Sequence, residues 1–158
     1  MKKLLAAVLP LGLALASSSA DARTHVATGA ECQPETGSTC IQFTQFGAHN
    51  ICTTTQGLEC PITHSYVGSQ TITQFYFIGY DRHSSQNVSC TIRRTDGAGN
   101  ILFSSSKNTT GESATSQLIV WLNLNQTQSA WWNMRCTLPP VEAGEFSHLS
   151  SFVTLTTE

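Results

Sequence analysis

The chain has 158 residues, with 8 Lys or Arg and 10 Asp or Glu, and its formal net charge at pH 7 is −2. Sparse and slightly acidic charge argues against a nucleic-acid partner, because phosphate binding needs a clustered basic surface. The length suits one domain rather than several.

The N-terminus has the pattern of a secretory signal peptide. Lys2 and Lys3 precede an apolar run that is too short to span a bilayer comfortably, and small residues follow at 20–22. We interpret residues 1–22 as a cleaved leader and residues 23–158 as one domain, the alternative being an uncleaved membrane anchor. The sequence therefore predicts a secreted or periplasmic protein without a membrane span.

Beyond the leader, short β-favouring runs alternate with turn residues, and Ser, Thr, Asn and Gln fill the polar positions. Residues 23–31 are expected to form a loose arm. Strands are predicted near 41–46, 48–54, 71–80, 87–95, 100–106, 115–124, 131–137 and 148–156. This pattern predicts an all-β fold, an antiparallel β-sandwich of immunoglobulin-like or jelly-roll-like form.

The cysteines indicate three disulfides, because an even number in an exported chain is typical of a covalent framework. Their spacings contain no short C-x2–4-C pair, so zinc is not expected. The six positions are Cys32, Cys40, Cys52, Cys60, Cys90 and Cys136.

Two of the predicted bridges follow from symmetry about Phe46. Cys40 and Cys52 lie at equal distances from it, and so do Cys32 and Cys60. A hairpin with a three-residue loop at 45–47 would place each pair opposite, with both bridges on one face. Coincidence is the alternative, and the outer pair could also close a loop instead of a ladder.

The remaining pair, Cys90 and Cys136, has independent support. Each cysteine alternates with apolar residues in its predicted strand, so both point toward the core. A bridge there could join two sheets, and the chain-entropy model gives it about 3–5 kcal/mol.

No catalytic motif stands out. The segment 80–85 reads YDRHSS, but a catalytic triad is a spatial arrangement and adjacency along the chain does not indicate one. A turn in which Asp81 bonds to local backbone is the simpler interpretation. Histidine spacing gives no zinc-hydrolase pattern, and we expect no cofactor.

The tryptophans are the candidate binding residues. Neighbouring strand residues face opposite sides of a sheet, so Trp131 is expected to face outward if Trp132 faces the core. In strict alternation Trp121 shares a face with Ile119, away from the Leu and Val residues of its strand. Trp121 and Trp131 could form a platform for sugar rings or a patch for a protein; alternatively, they pack under a loop.

Several short motifs carry a resemblance: Cys60-Pro61, the segment Asn87–Ile92, the segment Met134–Pro140 and a terminal strand that ends at Glu158. With them the chain resembles a group of uncharacterised small, exported, cysteine-framed β-rich proteins of Gram-negative bacteria. The resemblance implies no catalytic or binding residue. Cys40 and Cys52 lie outside the four-cysteine pattern of that group, in agreement with their pairing to each other.

We therefore expect a monomeric, non-catalytic binding or surface-associated module, whose partner is a protein or a glycan. A small secreted hydrolase with dispersed site residues is one alternative. A disulfide-framed inhibitor that presents a rigid loop is the other.

Overall fold

The computed structural model describes residues 23–36, 38–62, 71–124, 126–127 and 131–157; the predicted leader lies outside them. Within these ranges no helix has the length and hydropathy to cross a bilayer. One 3₁₀ turn, Gly29–Glu31, accompanies the strands β1 Arg23–Thr28, β2 Gln33–Pro34, β3 Ile41–Thr44, β4 Gly47–Asn50, β5 Gln56–Pro61, β6 Thr71–Tyr80, β7 Ser89–Thr95, β8 Ile101–Asn108, β9 Gln117–Trp121, β10 Gln126–Thr127, β11 Trp131–Leu138 and β12 His148–Thr157.

The strands form two antiparallel sheets. Sheet A has the order β10-β6-β12-β4-β3, with β1 beside β12 and β9 beside β6. Sheet B has the order β2-β5-β11-β7-β8. The predicted all-β antiparallel sandwich with three disulfides is confirmed.

The core lies between the sheets and follows from period-2 alternation. Phe75 and Phe77 of β6 point inward with Phe152 of β12, and Met134 and Leu58 face them from sheet B. All five side chains are almost completely buried. Full burial of each stabilises the fold by about 1.5–3 kcal/mol.

All three disulfides have the predicted partners. Cys90 lies directly opposite Cys136 in adjacent strands of sheet B, with Cα atoms 4.1 Å apart. The bridge therefore lies within one sheet, and the expectation that it could join two sheets is wrong. Both cysteines are completely buried, as their alternation with apolar residues predicts.

The nested-hairpin geometry is a second correction. The Cys40–Cys52 bridge belongs to the β3–β4 hairpin of sheet A, whereas Cys32–Cys60 joins the β2–β5 region of sheet B. The two bridges therefore do not share one hairpin or one face. Symmetry about a loop identified the partners but not the strands that carry them.

The hairpin register also differs from the prediction by one residue. Thr44 pairs with Gly47, so the turn contains two residues, 45 and 46, instead of three. Gly47 has φ 125°, and a Cβ there would collide with the carbonyl of Leu149 in β12. Only glycine permits this close backbone approach, which fixes the register.

The expected loose N-terminal arm is wrong as well. Residues Arg23–Thr28 form β1, which pairs with β12 from Arg23 opposite Thr156 to Thr28 opposite Ser151. Strand β5 was also not predicted. Both depend on partners far away in the chain, and local sequence patterns do not report such partners.

Candidate functional site

The outer face of sheet B carries an open surface depression. Its central strand, β11, turns alternate side chains to the core and to solvent. Trp132 and Met134 face the core, while Trp131, Asn133 and Arg135 face outward. Strands β5 and β7 flank β11 and supply the walls of the depression.

Trp131 is the exposed aromatic residue of this face. Its side chain is 74% exposed, whereas that of Trp132 is 7% exposed and packs against Phe103, with ring centroids 5.9 Å apart. The orientation of the pair is therefore the one that strand alternation predicts. Thr95 lies opposite Trp131, and its hydroxyl donates a hydrogen bond to the Trp131 carbonyl at 3.4 Å.

We refer to the depression beside this side chain as the Trp131 groove. It is open to solvent and has a volume of about 490 Å³. Its wall combines polar and charged side chains with two prolines and two tryptophans. The lining residues are Gln33, Pro34, Glu35, Thr36, Glu59, Pro61, Thr95, Trp131, Trp132 and Asn133.

A second depression of about 290 Å³ continues the groove along the sheet. Glu35, Thr36 and Glu59 line both depressions, and Arg93 and Arg135 complete the second one. The two therefore form one surface feature that is aromatic at one end and charged at the other.

An ion pair holds the charged end in place. Arg135 donates hydrogen bonds from two nitrogens to the two carboxylate oxygens of Glu35, one of them at 2.6 Å. This contact raises the pKa of the Arg135 guanidinium. Gly57 permits it, because a Cβ there would collide with the Glu35 carboxylate.

Asn133 also lines the groove, two residues after Trp131 on β11. Its Nδ2 donates to Glu59 at 3.3 Å, while its Oδ1 has no hydrogen-bond partner among the described residues. The same holds for Nε1 of Trp132, which is also buried. Buried polar atoms are nearly always paired, so two unsatisfied atoms in neighbouring groove residues mark an unusual place in the fold.

Trp121 does not belong to this site, and its expected outward orientation is wrong. It is 3% exposed, packs against Phe75 and Phe77, and donates from Nε1 to the Ser105 hydroxyl at 3.1 Å. Strand β9 does alternate, but its aromatic face is the buried one. Leu118, on the opposite face, is 59% exposed.

The YDRHSS segment forms a structural network and not a catalytic triad. Asp81 is completely buried and accepts hydrogen bonds from the backbone N–H of His83 and the hydroxyls of Thr109 and Ser147. A nucleophilic serine would bond to a histidine ring nitrogen. Here Nδ1 of His83 accepts the N–H groups of residues 85 and 86, and the Ser147 hydroxyl binds Asp81.

Three rings stack in sheet A, away from the groove. His148 lies 4.8 Å from the Tyr80 ring and 4.4 Å from the His49 ring, measured between centroids. Burial, with a smaller effect of His49, lowers the pKa of His148 to about 4. In the part of the chain that the structure describes, no group of three or more His, Cys, Asp or Glu side chains could hold a metal ion.

Sequence reasoning missed most of the groove. Alternation from Trp131 points to Asn133 and Arg135 on the same face, so this signal was present in the sequence. Glu59 and Arg93 reach the site only through the pairing of β11 with β5 and β7, which no local pattern specifies.

No family model matches the sequence, and no curated protein matches it significantly. Among solved structures, the chain is similar to the CBM36-1 domain of a multidomain xylanase from the hindgut metagenome of Trinervitermes trinervoides, at 10% identity and a TM-score of 0.46, covering 84% of this chain and 96% of that one. The carbohydrate-binding module CBM36 in complex with calcium and xylotriose gives 13% identity and a TM-score of 0.45, covering 83% and 98%.

A structure of the infectious bursal disease virus Gx strain gives 12% identity and a TM-score of 0.44. The match covers 97% of this chain but only 36% of the viral chain. Similarities of this size carry no argument about a ligand or an activity.

Proposed function

We propose that the protein is a non-catalytic binding module that holds a glycan in the Trp131 groove. The observation that carries this proposal is the exposure of Trp131, 74%, at the edge of an open groove that also presents polar side chains. An exposed indole ring has a free energy cost in water that a stacked ligand removes.

The chemistry of a sugar ring matches this arrangement. One face of a pyranose carries C–H groups that pack on an indole ring, while its hydroxyls point sideways and need hydrogen-bond partners. The carboxylate of Glu59 and the hydroxyls of Thr36 and Thr95 line the groove and supply such partners. A flat apolar protein surface would leave these groups unpaired, which favours the glycan over the protein partner.

The main alternative function for this groove is that of a glycoside hydrolase, because the carboxylates of Glu35 and Glu59 both line it. Such enzymes need one carboxyl group as a proton donor and a second as nucleophile or base. Both oxygens of Glu35 accept hydrogen bonds from Arg135, so this carboxylate is engaged in an ion pair within the protein. That engagement supports binding without cleavage.

Three disulfides are typical of oxidising compartments, in agreement with an extracellular location. We also propose that the protein is exported by means of the leader predicted at residues 1–22. Membership of the Gram-negative group of exported proteins likewise stays a prediction.

A glycan array followed by calorimetry tests the proposal. We expect a subset of glycans to bind, and Trp131→Ala to weaken that binding about tenfold or more, equivalent to about 1.4 kcal/mol. Phe46→Ala is the matched control, because Phe46 is 66% exposed at the tip of the β3–β4 hairpin and does not line the groove. Its affinity should equal that of the unmodified protein.

Other outcomes would contradict the proposal. Equal loss of binding in the two variants, or none in Trp131→Ala, would place the ligand elsewhere. Release of shorter sugars during the incubation, abolished by Glu59→Gln, would identify a hydrolase instead.

A further inference from the structure

On the outer face of sheet B, Arg93 is a cation that forms no ion pair with any residue the structure describes, although it lines the second depression together with Glu35 and Glu59. The register places Arg93 between Asn133 of β11 and Ser104 of β8. Thr91 and Thr95 flank it along its own strand. Arg93 forms no ion pair or hydrogen bond with a described residue, whereas Arg135 is bound on two nitrogens by Glu35.

The acidic residues of the groove lie on the other side of β11. Glu59 pairs with Arg135 in register, and Glu35 follows β2 at the far edge. Glu59 and Arg93 are thus separated by two strand spacings and two residues, about 12 Å between Cα atoms. The feature therefore has an acidic β5 side and a basic β7 side, and the Arg93 guanidinium on the β7 side is not engaged in an ion pair with a described residue.

The aromatic platform lies close to this positive charge. Trp131 pairs with Thr95, and Arg93 is two residues further along the same strand. Such diagonal neighbours have Cα atoms about 7–8 Å apart, within reach of two long side chains. A ring stacked on Trp131 can therefore direct a substituent to Arg93 while its hydroxyls face Glu59.

We infer that the combined surface feature selects glycans with an anionic substituent, a carboxylate or a sulfate ester, held by Arg93 in the second depression beside the ring stacked on Trp131 in the groove. This inference rests on the proposed glycan-binding function. A guanidinium binds either anion through paired N–H donors.

Calorimetry on the purified, oxidised protein tests the inference with three oligosaccharides of equal length. The first contains uronic acids, the second is its carboxyl-reduced counterpart, and the third is the reduced form with sulfate esters. We expect the uronic acid or the sulfated form to bind about fivefold more tightly than the neutral form at low salt. The preference should shrink at about 0.5 M NaCl, where the screening length is short.

Variants separate the charge from the stacking. Arg93→Gln should abolish the preference and retain binding of the neutral form, and Arg93→Lys should keep part of the preference. Arg82→Gln is the matched control, because Arg82 pairs with Glu145 outside the groove and its loss changes the net charge equally. It should leave the preference unchanged.

The outcomes distinguish the anionic preference from the proposed glycan-binding function on which it rests. Equal affinity for charged and neutral forms, unchanged by Arg93→Gln but reduced by Trp131→Ala, would overturn the anionic preference and leave the glycan module intact. A preference lost equally in Arg93→Gln and Arg82→Gln would assign it to net charge and overturn the role of Arg93. Absence of binding to all three forms and to every array glycan would overturn both.

Discussion

Asp81 gives the sharpest test of the structural role assigned to the polar cluster. The side chain is completely buried, and two donors face each carboxylate oxygen: the His83 N–H and the Ser147 hydroxyl face one, and the Val88 N–H and the Thr109 hydroxyl face the other. Asparagine offers one acceptor oxygen, so Asp81→Asn places an NH₂ group against one backbone N–H and one hydroxyl in either orientation, and only the hydroxyl can rotate to accept from it.

The expected loss follows from those contacts. A hydrogen bond to a charged group contributes about 1.5–3 kcal/mol, so two lost bonds give about 3–6 kcal/mol before compensation. Val88 N–H keeps a second acceptor in the Thr109 hydroxyl at 2.9 Å, and the buried charge disappears with its desolvation cost. We therefore expect Asp81→Asn to lower the free energy of unfolding by about 2–4 kcal/mol.

Urea denaturation followed by circular dichroism measures this change. Asp96→Asn is the control, because Asp96 accepts similar backbone hydrogen bonds in an exposed turn, where water can replace them. It should shift the midpoint much less. A loss below about 1 kcal/mol for Asp81→Asn would refute the reasoning, because a buried carboxylate with four donors cannot be that dispensable. Loss of glycan binding without loss of stability would point to a functional role.

Three further predictions concern other parts of the fold. The pKa of His148 is lowered to about 4 from 6.5, so the unfolded state binds the proton more readily than the folded state. The free energy of unfolding should therefore fall by about 1–2 kcal/mol between pH 7 and pH 4, after allowance for the partial exposure of the ring. His148→Gln should flatten this pH dependence in denaturation curves. Replacing Cys90 and Cys136 by Ala should lower the free energy of unfolding by about 4 kcal/mol, since their bridge closes a span of 46 residues, and an unchanged melting temperature would contradict this. Trp121→Ala should lower the free energy of unfolding by about 3–5 kcal/mol, whereas Trp131→Ala should change it by no more than about 0.5 kcal/mol. Similar losses of stability for the two variants in a thermal melt would contradict the burial of Trp121 and the exposure of Trp131.

The alternation of residues along strands and the number of cysteines were sufficient to predict part of this structure. Trp131 and Trp132 occupy opposite faces because adjacent strand residues must, and six cysteines left few pairings once two symmetric pairs were recognised. Trp121 was assigned to the wrong face because β9 is apolar on both sides. The packing of the core determines which side of β9 is buried. The rings of Phe75 and Phe77 of β6 contact the Trp121 indole, and they come from a different part of the chain.

The groove shows the same division between local and long-range information. Position along β11 predicts which residues accompany Trp131 on the outer face. The charges that give the groove its polarity come from β7 and from the β2–β5 region, and they meet only after the sheet has formed. The site could therefore be predicted as an aromatic residue in a strand, but not as a groove with acidic and basic sides.

The most direct measurement of glycan binding at Trp131 is a ¹H–¹⁵N NMR titration that follows the three tryptophan indole N–H signals. With a glycan that binds in the array, we predict that the Trp131 signal shifts and saturates with the binding isotherm, while the Trp121 signal, from a buried indole bonded to Ser105, does not move. A glycan that binds while the Trp131 signal stays fixed, with shifts clustered elsewhere on the protein, would contradict the account.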